Sequence, residues 1–378
     1  MDDVADPVTT CESLLASIRE TAPTLSDREL SDTILARLAE ARLLWPAAPV
    51  AGQPLAPTLR SAARMTYRIA ELSGSAALSY AMHLSQALTL ERHATDTPYL
   101  AAQLERFRAE QSLIASGTSE KGVGGDIFGT RCTIDRGDPD RYTLVKESPN
   151  ISYLAQAAAA VLVDAEERRS QVLILARQDD VEATSGRVAE FMGMKGIDNR
   201  PFALQLRFRP EAILTEKFPA IARATMTPVI HILWAALWSG LASHALSLCK
   251  RVVGGMSADE KAIRAVVSFQ LSALIDRHYT LNALIRDAIR DVDEPHDAMV
   301  AGMNWSANVK RLKTVGSDTA TDICLGALEI VGMPGYAEAG PLSLSTVIRD
   351  VLSSKVMISN YRLIDSNAAT ERYLTQDI

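Results

Sequence analysis

Between Pro228 and Cys249 the chain carries no Asp, Glu, Lys or Arg, and the only ionisable side chains are His231 and His244. A helix over this run is apolar on every side. It must either cross a bilayer or lie at the centre of a bundle. Ser239, Ser243 and Ser247 add polar groups to the run, and no second segment like it exists in the sequence. The expectation is therefore a buried central helix and no membrane span. A central helix needs several others of similar length around it.

The sequence on both sides supplies them. Candidate helices run over about 219–253, 257–291, 294–333 and 342–373, separated by Gly254-Gly255, Asp293-Glu294-Pro295 and the segment from Gly332 to Pro341. Four long helices at short connections predict a four-helix bundle. Residues 1–112 also read as helical. Leu30, Ile34, Leu35 and Leu38 recur at helical spacing, Pro46, Pro49 and Pro54 form a break, and helices follow over 56–72, Ala76 to Leu90 and Pro98 to Gln111. Gly74 and Ser75 read as an interruption.

The texture changes near Leu113. Five glycines fall between Gly117 and Gly129. Strand-like runs follow at Arg131 to Ile134, Tyr142 to Val145, Ala159 to Val163, Val172 to Ala176, Glu182 to Ala189 and Pro201 to Phe208. The expected fold is α+β and multidomain. An N-terminal α-helical domain (1–112) precedes a middle β-barrel-like domain (113–217) and a C-terminal four-helix bundle (218–378).

A net charge of −7 with no dense Lys/Arg run argues against nucleic acid as a partner. Cys11, Cys132, Cys249 and Cys324 show no metal-ligand spacing and read as reduced thiols. The acidic start, Met1-Asp2-Asp3, lacks the features of a signal peptide, so a cytoplasmic location is expected.

Four segments carry a resemblance. Thr118-Ser119-Glu120 runs through Gly122, Gly124 and Gly125 to Asp126. Tyr142 to Ser152 ends in Asn150-Ile151-Ser152. Met192-Gly193-Met194-Lys195-Gly196 precedes a strand and Arg209-Pro210. Phe269-Gln270 and Gly332-Met333-Pro334-Gly335-Tyr336 lie in the bundle, followed by Arg349-Asp350. In this order and spacing, the chain resembles the acyl-CoA dehydrogenase family of flavoproteins.

The resemblance implies FAD as cofactor. Thr118, Ser119, Gly124, Gly125, Asn150, Ile151 and Ser152 would lie beside the flavin ring. Gln270, Gly332 and Met333 would hold its adenosine and phosphates, partly across a subunit interface. Glycine turns let main-chain N–H groups approach a phosphate or a flavin. Taken singly, these segments also read as a surface turn, a polar strand end, a solvent-facing glutamine and a helix C-cap. The resemblance further implies a homodimer or homotetramer, and an electron acceptor protein or oxygen. The substrate would be an acyl thioester on coenzyme A or acyl carrier protein.

The departures concern chemistry. The family's Arg-x-x-Phe-Gly is replaced by Val252-Val253-Gly254-Gly255-Met256. The aromatic that would stack on the flavin is Asn150, with Tyr153 close by in sequence. Thioester α,β-dehydrogenation needs a base for the α proton, and Ile358 stands where the family's glutamate would fall. Asp365 and His231 remain as catalytic candidates. The alternatives are a flavin-dependent monooxygenase or oxidase on the same scaffold, or a non-catalytic relative.

Overall fold

The computed structural model describes residues 6–47, 50–123, 127–167, 170–257, 259, 261–296 and 299–374. The uncharged run forms α7 (Thr227–Gly255), preceded without a break by α6 (Phe218–Ile221) and one π-helical turn, Ala222–Met226. Among the described residues this is the one helix long and apolar enough to cross a membrane, and 89% of its most apolar stretch is buried in the protein. The bundle-centre reading holds.

What surrounds α7 comes from both ends of the chain. Five helices build the N-terminal block: α1 (Pro7–Arg19), α2 (Asp27–Glu40), α3 (Ala56–Ala70), α4 (Gly74–His93) and α5 (Pro98–Glu110). The bundle adds α8 (Lys261–Asp291) and α9 (Met299–Val331). α3, α4, α8 and α9 all pack on α7. Trp238, Leu237 and Leu233 are fully buried there, each contributing about 2–3 kcal/mol of burial. Gly240 is where α3 crosses, since a Cβ would overlap the Tyr67 carbonyl oxygen and lie 2.8 Å from Ala70 Cβ.

Three local expectations need correction. Gly74-Ser75 does not interrupt a helix. It opens α4, with Ser73 Oγ accepting from Ala76 N at 3.2 Å as the cap. Arg131 to Ile134 is not a strand: it forms a single isolated β-bridge, Thr133 to Glu166. The last long helix, 342–373, is broken. After α10 (Met333–Tyr336) come α11 (Ser345–Leu352), a 3-10 turn, and α12 (Asn360–Ala368). The break has a cause outside the segment. The buried Lys313 ammonium donates to the Ser354 carbonyl at 2.8 Å and to the Ile358 carbonyl, diverting acceptors a continuous helix would use.

The middle block is two three-stranded sheets. One orders β1 (Leu113–Ser116), β3 (Ala158–Glu167) and β4 (Ser170–Arg177), with β1 parallel to β3. The other orders β2 (Tyr142–Ser152), β6 (Asn199–Phe208) and β5 (Val181–Ser185). β2 runs well past the predicted Val145. It absorbs Pro149, which cannot donate to the ladder, in a register shift between Ser148 and Ile151. That bulge brings the end of β2 to the glycine loop.

Candidate functional site

The first two motifs converge. Ser119 Oγ shares a hydrogen bond with Ser148 Oγ at 2.6 Å and donates to the Asn150 carbonyl at 2.9 Å. On the other side of the strand end, Ser152 Oγ donates to Asn199 Oδ1 at 2.7 Å, and Asn150 Nδ2 donates to the same oxygen at 3.3 Å. Ile151 is buried beneath. Thr118 Oγ1 pairs with Ser116 Oγ at 3.2 Å. The result is a half-buried polar ledge at the bulged end of β2. Asn199 belongs to it, and no sequence motif pointed there. Gly124 and Gly125 lie outside the described residues.

The ledge leaves one group over. Asn150 Oδ1 is buried and has no hydrogen-bond partner. Burying an acceptor unpaired costs about 1–3 kcal/mol, so a donor brought to Asn150 Oδ1 would recover that cost. An N–H on the edge of a flavin ring fits that requirement. Tyr153 does not supply the missing aromatic. Its backbone takes φ +48°, its side chain is buried, and its hydroxyl donates to the Ile114 carbonyl at 3.1 Å.

A buried charge cluster holds the loop in place. Lys146 Nζ donates to Asp164 Oδ1 at 2.6 Å and lies 3.8 Å from Glu120. Glu120 accepts from Thr130 Oγ1 at 2.7 Å and from the Arg131 N–H at 3.1 Å, which ties the two ends of the glycine segment together. Gln171 Nε2 closes the cluster on Asp164 Oδ2 at 2.8 Å. Burial raises the Asp164 carboxyl above its ordinary range, and Lys146 pulls it back down.

The two candidate bases are in different environments. His231 on α7 is buried, donates Nδ1–H to the Val309 carbonyl at 3.2 Å, and stacks on Trp234 with centroids 5.7 Å apart. Burial lowers it to about 4, so it is neutral at pH 7. Asp365 is exposed on α12. At position 358 there is no carboxylate. There the chain carries the Lys313 ammonium, bonded to the Ser354 and Ile358 carbonyls and to Asn360 Oδ1 at 2.6 Å. Desolvation lowers Lys313 to about 8.

Gln270 and Met333 are exposed on the bundle, and Gly332 takes φ +70° at the end of α9. Among the described residues no hydrogen bond connects them to the ledge. All four cysteines are buried and unpaired, with Cys11 raised to about 12 and Cys132 and Cys249 to about 11 by burial.

No protein-family profile and no curated protein matches the sequence. Solved structures match over nearly the whole chain. Butyryl-CoA dehydrogenase from Megasphaera elsdenii aligns with a TM-score of 0.80 at 19% identity, over 98% of this chain and 100% of that one. An acyl-CoA dehydrogenase from Geobacillus kaustophilus gives 0.76 at 15%, over 96% of each chain. Nitrososynthase from Micromonospora carbonacea var. africana gives 0.76 at 19%, over 97% of each. At these identities the fold is what is shared. The helical block, the paired sheets, the bundle around α7 and these alignments together establish that this chain has the acyl-CoA dehydrogenase fold.

Proposed function

We propose that this chain is an FAD-dependent oxidoreductase, with the flavin edge on the ledge formed by Ser119, Asn150, Ile151 and Ser152. The observation that carries this reading is the unpaired, buried Asn150 Oδ1 at the point where two motifs of the resemblance meet. FAD would supply hydride acceptance or, once reduced, oxygen activation. The chain's own residues do the positioning. Ser119, Ser148 and Asn199 stiffen the ledge, Asn150 Oδ1 would accept from a ring N–H, and Glu120 with Lys146 holds the described ends of the glycine segment together.

The units 1–112, 113–217 and 218–378 are proposed as its domains. Gln270, Gly332 and Met333 would reach the adenosine and phosphates of a neighbouring copy. Exposed Ile263, Val266 and Phe269, at three-residue spacing on α8, support assembly as a homodimer or homotetramer, because they leave an apolar strip open to solvent. A Val266→Asp/Phe269→Glu variant is expected to sediment as a smaller species and to bind FAD at least ~10-fold more weakly. Unchanged assembly would remove α8 from the interface.

The substrate class is an acyl thioester, on coenzyme A or acyl carrier protein, with an electron acceptor protein or oxygen completing the cycle. For α,β-dehydrogenation Asp365 is the candidate a substrate could reach, since it is exposed while His231 is buried. The lack of a carboxylate at position 358, where Ile358 stands, favours the other reading, a flavin monooxygenase or oxidase.

One set of spectra separates the readings. The purified protein is expected to show flavin absorption, alone or after FAD addition. A protein that stays colourless with added FAD overturns the proposal. Anaerobic bleaching by butyryl-CoA or octanoyl-CoA, lost in Asp365→Asn, marks a dehydrogenase. Reduction only by NADH with a flavin reductase, followed by oxygen uptake, marks the alternative. If α-proton abstraction is the missing function, Ile358→Glu should raise thioester bleaching by at least ~10-fold over the parent.

A further inference from the structure

The three parts of the fold meet at one carboxylate. Asp350 lies on α11 and is 3% exposed. Its Oδ1 accepts from the Met194 N–H at 2.6 Å. Its Oδ2 faces the first residue of α4, where a Cβ on Gly74 would come within 2.5 Å of it. Asp350 therefore touches the N-terminal block through α4, the sheets through the turn before β6, and the bundle through its own helix.

The glycines in that turn serve this contact. A Cβ on Gly193 would overlap the Arg349 carbonyl oxygen and lie 2.8 Å from Asp350 N. A Cβ on Gly196 would overlap the Asp27 carbonyl oxygen at the start of α2 and lie 2.7 Å from Ser75 Cβ. Gly196 N donates to Ser75 Oγ at 3.0 Å, and Met194 sits at φ +55°. The turn is threaded between α2, α4 and α11 with no room for side chains at two positions. Residues that follow Asp350 are tied to it in series. Ser353 Oγ donates to the Asp350 carbonyl at 2.6 Å, and Lys313 holds the next carbonyl, that of Ser354.

We propose that Asp350 is a positioning residue whose carboxyl group clasps the first turn of α4 and the Gly193–Gly196 turn to α11, and so sets the path of the 353–359 turn over Lys313. The clasp belongs to the chain itself and does not require bound flavin. The charged groups around it are Asp27 from α2, Arg349 beside it and Lys195 from the turn, and apolar Leu241 from α7 packs next to Gly74. Burial raises Asp350 from 3.8 to about 7, with Asp27 adding to the rise and the Met194 N–H, Arg349 and Lys195 opposing it. A carboxyl raised on folding contributes stability that is complete at low pH and lost as pH climbs through its folded value. The clasp is tight in acid and loosens through neutrality.

Hydrogen exchange on the full-length, flavin-free protein tests this. In the wild type, protection of 192–197 and 353–359 is expected to fall about tenfold between roughly pH 5.5 and 8.5, after correction for intrinsic exchange. Asp350→Asn keeps the acceptor without the charge, and its protection should stay flat. Asp350→Ala should lose protection of both segments at either pH. Equal pH slopes in wild type and Asp350→Asn, or wild-type protection in Asp350→Ala, would overturn the proposal. If Asp350→Ala does not fold, the comparison with Asp350→Asn decides it.

Discussion

Lys146→Met is expected to lower stability by about 3–5 kcal/mol, because it strands a buried carboxylate. Asp164 is at most 1% exposed at its side chain and takes its closest contact from Lys146. Without the ammonium, two hydrogen bonds to Asp164 disappear and Glu120 loses its nearest cation. The Asp164 carboxyl then rises further, so stability is expected to decline as pH increases from about 4 towards 7, more steeply than in the parent. Lys146→Met/Asp164→Asn should recover most of the loss, since a neutral pair no longer buries a bare charge. Urea unfolding of the four proteins in the cycle reads the coupling directly. Additive losses would mean the two groups are not paired. The effect extends to the site, because Glu120 joins the ends of the glycine segment.

Gly240→Ala gives the second large effect, and its sign is diagnostic. In an unpacked helix this change stabilises by about 1 kcal/mol, since alanine orders more cheaply than glycine. Here the new methyl would meet the Tyr67 carbonyl and Ala70 at the crossing of α3 and α7. Main chain has to move, so a loss of about 2–4 kcal/mol is expected. The N-terminal block should detach first, visible as proteolysis within residues 6–110 ahead of global unfolding. A rise in melting temperature would show that the two helices do not approach this closely.

Much of the architecture was legible in single segments. The uncharged run from Pro228 to Cys249 required a central helix, and helical periodicity located α2, α3 and α5. The change of texture near Leu113 marked the sheet block, and the glycine segment stood next to the strand end it joins. These features depend on neighbours close in sequence, where propensity and spacing act. The candidate site was less legible. Tyr153 looked available as an aromatic, but its φ of +48° turns it inward to Ile114. Asn199 has no motif around it and comes to the ledge only because β6 pairs with β2.

The amino-acid order by itself determined that a helix without charge had to be wrapped by others, and that a sheet block separated two helical ones. Tertiary structure alone decided where the last helix breaks, which carboxylates are paired, and where three units lock at Asp350. The physical reason is the range over which each effect acts. Periodicity and capping are written within a few residues. The partners of Lys313, Lys146 and Asp350 lie far along the chain, and each buried charge takes its state from groups that only folding brings near.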